Sequence, residues 1–256
     1  MQGDGRALDP TSERSPLPEA LARPPHGRVL LVVPHPDDDV LGAGGTVALH
    51  VAQGDPVHVL VAYGGLEGDP DHRWAPEEYR ALRQREARAG GKHLGLESYE
   101  FWSYPEGHLP SNEQLLEAGR RLAQRVRELR VDTIYAPWVG EYHVDHHVLA
   151  RVVRLAVALA DFRGAAWGYE VWTPLVPTRI VDTSTVHARK VAALREHASQ
   201  LAYRDILEKG LALSAQRAMY LAPETRHGEA FRPLGEPFGS DRELLRSAGG
   251  GVVADP

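Results

Sequence analysis

Residues 29–46 read "VLLVVPHPDDDVLGAGGT": five apolar residues, a histidine between two prolines, three consecutive aspartates, and three glycines within four positions. The apolar run has the length and β-branched content of a strand buried in the middle of a parallel sheet. Ending such a strand on three carboxylates is costly unless something offsets their charge. The plainest account is a solvated turn in which Asp38 or Asp39 caps a helix beginning near Val40. A phosphate-binding loop is a second account, and it fails. The G-x-G-x-x-G pattern counted from Gly42 meets Val47 where its last glycine belongs, and the carboxylates ahead would repel a pyrophosphate. A bound cation is the third and simplest.

Working outward, β-rich runs at 28–33, 56–62, 99–104, 132–137, 169–174 and 178–182 alternate with helical patterns. Ser111 and Gln114 form a capping box ahead of a helix over 111–130, in which Leu115, Leu122, Val126 and Leu129 recur at helical spacing. Pro76 suits the first turn of a helix that runs to Leu94, and 145–159 carries Val148, Val152, Leu155 and Leu159 on one side. This alternation predicts an α/β, Rossmann-like fold: a mainly parallel sheet with helices on both faces, and a metal site at the C-terminal strand ends. Residues 1–27 read as an N-terminal arm, 28–238 as a single α/β domain and 239–256 as a flexible C-terminal tail.

Composition narrows the function. The 256 residues carry a net charge of −6 and no Lys/Arg run suited to a phosphate backbone, so nucleic acid is not an expected partner. There is no cysteine, so any metal must be held by His, Asp or Glu. The first 27 residues lack the apolar core of a secretory signal, and no stretch has the roughly 18 apolar residues of a membrane span, which predicts a cytoplasmic protein.

A second cluster, "YHVDHH" at 142–147, follows the strand at 132–137. His35 and Asp38 with an imidazole from this cluster make a two-histidine, one-carboxylate set with room for water, as used by zinc and by non-haem iron. Together with "LRQREARAGGKHLGL" and "YEVWTPLVPTRIVDTSTVHARKVAALREHASQ", these motifs resemble the PIG-L/LmbE-like zinc-dependent de-N-acetylases over roughly residues 28–232. Members of that family remove acetyl groups from N-acetylglucosaminyl compounds.

The resemblance implies Zn2+, or another divalent metal such as Fe2+, on His35, Asp38 and His146. It implies Asp37 as the general base, and His143 as oxyanion stabiliser or proton donor with its ring oriented by Asp145. Arg83, in R-x-x-E with Glu86, and Tyr142 are the implied substrate contacts. Tyr104 and Trp138 are further aromatic candidates, and Ser199, Gln200 and Glu229 match late family positions without an evident chemical role. Two features depart from the pattern: Asp39 replaces the usual Glu, and His147 follows His146. The expected partner is a small-molecule or oligosaccharide substrate, and a homo-oligomer is compatible with the sequence. The alternatives are a deacylase of another N-acyl amine, such as an antibiotic intermediate or amino-acid conjugate, and a non-catalytic metal- or sugar-binding domain.

Overall fold

The computed structural model describes residues 17–235 and 240–247. Its strands are β1 (Glu19–Leu21), β2 (Val29–Val33), β3 (Val57–Tyr63), β4 (Ser98–Tyr104), β5 (Thr133–Pro137), β6 (Ala165–Tyr169), β7 (Arg179–Asp182) and β8 (Gly228–Pro233). The helices are α1 (Asp38–Ala52), α2 (Pro76–Leu94), α3 (Asn112–Glu128), α4 (Val144–Leu159), α5 (His187–Arg195), α6 (Ala198–Leu201), α7 (Ile206–Arg217) and α8 (Ser240–Ser247). The strands form an eight-stranded sheet in the order β1-β7-β8-β6-β5-β2-β3-β4. Only β8 runs antiparallel to its neighbours, β7 and β6. The mainly parallel α/β fold read from the strand–helix alternation is therefore the observed one.

β2 lies in the interior of the sheet between β3 and β5 and is buried at all five positions. Its side chains alternate between two cores. Leu30 and Val32 join one built with Leu115 and Leu122 of α3 and Val148 and Val152 of α4. Val29, Leu31 and Val33 join the other, with Val40 and Val47 of α1, Leu94 of α2 and Leu194 of α5. A strand covered on both faces needs apolar residues at consecutive positions, which is why the run shows no polar alternation. The Ser111–Gln114 box is formed in both directions, Gln114 N–H donating to Ser111 Oγ at 3.2 Å and Ser111 N–H to Gln114 Oε1 at 2.8 Å.

Four features differ from, or add to, the sequence expectations. The strand expected at 169–174 lies at 165–169, because the amides of Val171, Trp172 and Thr173 are taken by the Glu141 carboxylate rather than by a neighbouring strand. Aromatic and β-branched content mimicked a strand there. No strand was legible at 228–233, yet β8 enters the sheet there. Residues 19–21, within the stretch read as an arm, pair with β7, and α8 packs on α3 and α4 within the stretch read as a tail. The expected boundary at 238–239 and the residues beyond 247 lie outside the described residues.

Two glycines in "GAGG" let α1 pack tightly. A Cβ on Gly42 would lie 2.2 Å from the Tyr169 ring, whose hydroxyl donates to Val32 O at 3.0 Å, and a Cβ on Gly45 would lie 2.6 Å from Thr183. Gly42→Ala should therefore lower unfolding stability by about 1–3 kcal/mol through overpacking. Chemical denaturation would measure this, and an unchanged midpoint would contradict the packing account.

Candidate metal and active site

The chain runs from β2 through β3 to β4 on one side, then returns to place β5 on the other side of β2. This reversal opens a crevice beyond the C-terminal ends of β2 and β5, where ligands bind in open α/β sheets. The turn after β2 delivers His35, Asp37 and Asp38. The loop after β5 delivers His143 at the N-cap of α4, with Asp145 and His146 in the first turn of that helix.

Asp38 is the meeting point of the two clusters. Its Oδ2 lies 3.2 Å from His35 Nδ1 and 3.2 Å from His146 Nε2, and accepts from the His35 amide at 2.9 Å. The ligand atoms of His35, Asp38 and His146 all lie within 4.8 Å of one another. His146 is fully buried, and neither ring nitrogen has a hydrogen-bond partner. Its Nε2 approaches Asp38 closely enough for an ion pair without hydrogen-bond geometry. A buried imidazole left unsatisfied beside a carboxylate and a second imidazole fits a cation better than it fits a hydrogen-bond network. His147 turns elsewhere, its Nδ1 lying 3.1 Å from Val139 O.

The second nitrogen of His35, Nε2, lies 3.1 Å from Asp145 Oδ2, while Asp145 Oδ1 accepts from the Gly107 amide at 2.8 Å. Asp145 thus orients His35 rather than His143. The His143 ring sits 5.2 Å from His35 and 4.8 Å from His146, centroid to centroid. Burial, and then the charges of His146 and His35, lower its pKa. Burial also opposes protonation of His35, but the hydrogen bonds of Asp145 and Asp38 outweigh it and raise that pKa to about 10. For Asp38, burial is outweighed by the charges and close contacts of His146 and His35, which hold the carboxyl well below the usual carboxylate range.

Asp37 is buried beside Arg83, whose guanidinium is 3.2 Å from its Oδ2. Burial raises the Asp37 pKa and Arg83 opposes the rise. Arg83 is only 2% exposed and also donates to Gly65 O and Pro36 O. A helix-surface ion pair with Glu86 is ruled out, because Glu86 is buried too and accepts from Ser199 N–H and Oγ–H. Asp39 points away from this group. Its Oδ2 accepts from Tyr99 OH at 2.6 Å, and burial pushes its pKa up to about 7.

The crevice is a cavity of about 490 Å³, within the size range of small-molecule sites. Tyr142 lines its mouth and is 75% exposed, together with Trp172, Tyr203 and Arg204, which were not legible as site residues. Tyr104 instead lines a neighbouring cavity against α3 and α4, and the Trp138 indole is tied to Thr173 O. Two loop carboxylates were also missed. Glu106 accepts from the Gly65 and Leu66 amides, and Glu141 holds the 171–173 segment that carries Trp172. Their only sequence signal is an acidic residue beside glycine in a loop after a strand, "YPEG" and "VGEY".

A family model described as PIG-L, GlcNAc-PI de-N-acetylase, matches residues 30–157, the stretch from β2 to α4 that holds both histidine clusters. The chain belongs to this family. Among its relatives is the 1D-myo-inositol 2-acetamido-2-deoxy-alpha-D-glucopyranoside deacetylase of Nocardioides sp., 31% identical over 55% of this chain and 59% of that protein. The match thus spans about three fifths of that relative's length. The 4-oxalmesaconate hydratase of Pseudomonas putida is 26% identical over 73% of this chain and 81% of its own. The solved N,N'-diacetylchitobiose deacetylase of Pyrococcus horikoshii superposes with a TM-score of 0.66 at 25% identity, covering 83% of this chain and 88% of that one.

Behind Arg83 lies His197, fully buried with both ring nitrogens unpartnered. Burial, reinforced by the Arg83 charge, pushes its pKa down to about 3. The folded pKa is below the unfolded value of about 6.5, so the unfolded chain binds this proton first. The neutral ring's contribution is fully present above about pH 6.5 and is lost as pH falls towards 3. Between pH 6.5 and 5 this one group should cost about 2 kcal/mol. Unfolding free energies of wild type and His197→Gln at the two pH values would read it; equal slopes would refute the assignment.

Proposed function

We propose that this protein is a zinc-dependent N-deacetylase that removes the acetyl group from an N-acetylglucosamine-containing sugar or glycoconjugate, releasing acetate and a free amine. The carrying observation is the buried, hydrogen-bond-free His146 facing Asp38 and His35, with Asp37 and His143 at the same open cavity. His35, Asp38 and His146 would hold the metal, Zn2+ in the first instance and Fe2+ as the alternative.

A divalent cation there supplies Lewis-acid polarisation of a carbonyl oxygen and makes nearby water more acidic. Asp37 takes the proton from the attacking water. Arg83 fixes the Asp37 carboxylate and counters the tendency of burial to protonate it. Asp145 holds the His35 ring by Nε2, which leaves Nδ1 on the Asp38 side. His143 gives a proton to the leaving nitrogen. Its lowered pKa makes its protonated form a stronger acid than an ordinary imidazolium. Tyr142 and Trp172 offer apolar faces to a sugar at the mouth.

A second reading, addition of water to an unsaturated tricarboxylic acid, is favoured by the hydratase relative alone. The cavity lining opposes it. Asp37, Asp38, Glu67, Glu106 and Asp145 face Arg83 and Arg204, and Arg83 is already tied to Asp37. Such a lining suits a neutral sugar better than a trianion.

Metal-stripped protein should release no acetate from N-acetylglucosaminyl compounds and should recover activity on adding Zn2+ or Fe2+. A panel of N-acyl amines and an unsaturated tricarboxylate, read by amine release and by loss of alkene absorbance, separates the readings. Alkene loss without amine release would overturn the proposal. His146→Ala should abolish stoichiometric metal binding. Asp37→Asn should keep the metal and lower kcat by about 10²-fold or more, with KM nearly unchanged. Full turnover by Asp37→Asn would reject Asp37 as the base.

A further inference from the structure

α1 is two helical pieces joined at Ala43, whose φ of −141° and ψ of 17° are non-helical. In a continuous helix the amides of Gly45 and Thr46 would bond to the carbonyls of Leu41 and Gly42. Instead, Gly45 N–H donates to Glu229 Oε1 and Thr46 N–H to Glu229 Oε2, both at 2.7 Å. The Leu41 carbonyl accepts from Lys190 Nζ at 3.0 Å, and the same ammonium lies 2.7 Å from Glu229 Oε1. One carboxylate and one ammonium therefore replace the helical partners of two amides and a carbonyl at the break.

Glu229, on β8, and Lys190, on α5, are 4% and 1% exposed. Two such residues buried as a pair are a costly solution for stability alone, since apolar residues of similar volume often serve as well or better. The short piece ahead of the break is the turn that carries Asp37, Asp38 and Asp39. That turn is also tied by Asp37 to Arg83, by Asp38 to the His35 amide and by Asp39 to Tyr99.

We infer that Glu229 and Lys190 are positioning residues: by capping the broken ends of α1 they hold its first turn in the orientation that presents Asp38 to the metal and Asp37 to water. They touch neither group. With the pair gone, Gly45 and Thr46 can recover their bonds to Leu41 and Gly42, and healing the helix would rotate the aspartate turn away from His146. This inference rests on the metal-site reading above and adds to it the residues that set the site's geometry.

The decisive variant is the double substitution Lys190→Met with Glu229→Leu, which removes the pair without leaving a buried lone charge. Its unfolding midpoint should match or exceed that of the wild type, while its zinc affinity, measured by chelator competition on stripped protein, falls by about 10–100-fold. Its kcat should fall with KM nearly unchanged. Glu229→Gln, which keeps the volume and one acceptor oxygen, should be intermediate in zinc affinity. A folded variant of either kind with wild-type zinc affinity and kcat overturns the inference, whereas a wild type that takes up no metal overturns the metal-site reading instead. Amide hydrogen exchange on the unaltered protein tests the clamp without metal or mutation. Gly45 and Thr46 should be among the slowly exchanging amides, and fast exchange at both would sink the inference.

Discussion

Three adjacent aspartates, each no more than 7% exposed, stand at the end of the most deeply buried strand, and much of the surrounding structure answers that concentration of charge. An ionised carboxylate out of water is costly unless paired, and three in a row also repel one another. The protein gives each a different answer. Asp38 meets two imidazoles, Asp37 meets a guanidinium, and Asp39 meets a tyrosine hydroxyl with its pKa pushed up to about 7. The three therefore do not carry equal charge near neutral pH. The arrangement that emerges has one carboxylate aimed at a group of possible metal ligands, one held beside it, and one facing away.

The sheet topology makes this pairing possible. Because β5 lies on one side of β2 and β3 on the other, the two histidine-bearing loops open on the same crevice although they are more than 100 residues apart. α2, after β3, sends Arg83 into that crevice. β8 runs against its neighbours and brings Glu229 up beneath the break in α1. An antiparallel strand reaches this end of the sheet from the opposite direction, so its early residues lie where the other strands finish.

What could be read in advance followed from local chemistry. A solid apolar run with β-branched residues has few destinations other than a doubly covered strand, and Ser111 with Gln114 announces a helix start through bonds closed within four residues. The two His/Asp clusters were legible because metal-ligand chemistry restricts residue type so strongly. β6 was misplaced and β8 missed for the complementary reason. The amides of 171–173 bond to Glu141, some 30 residues away, and no property of "YEVWTP" records that capture.

The sequence by itself determined the α/β class, the central strand, the beginnings of α2 and α3 and the chemical types in the site, because each depends on side-chain pattern or on partners within one turn. Only the tertiary structure decided how the other residues are paired: Asp145 with His35 rather than His143, Arg83 with Asp37 rather than Glu86, and Glu229 with Lys190 in the break of α1. Those choices depend on distances between segments far apart in the chain. Charge and hydrogen bonding select a partner by where it lies in space, and a residue's identity records what it can bond to, not which candidate lies within about 3 Å.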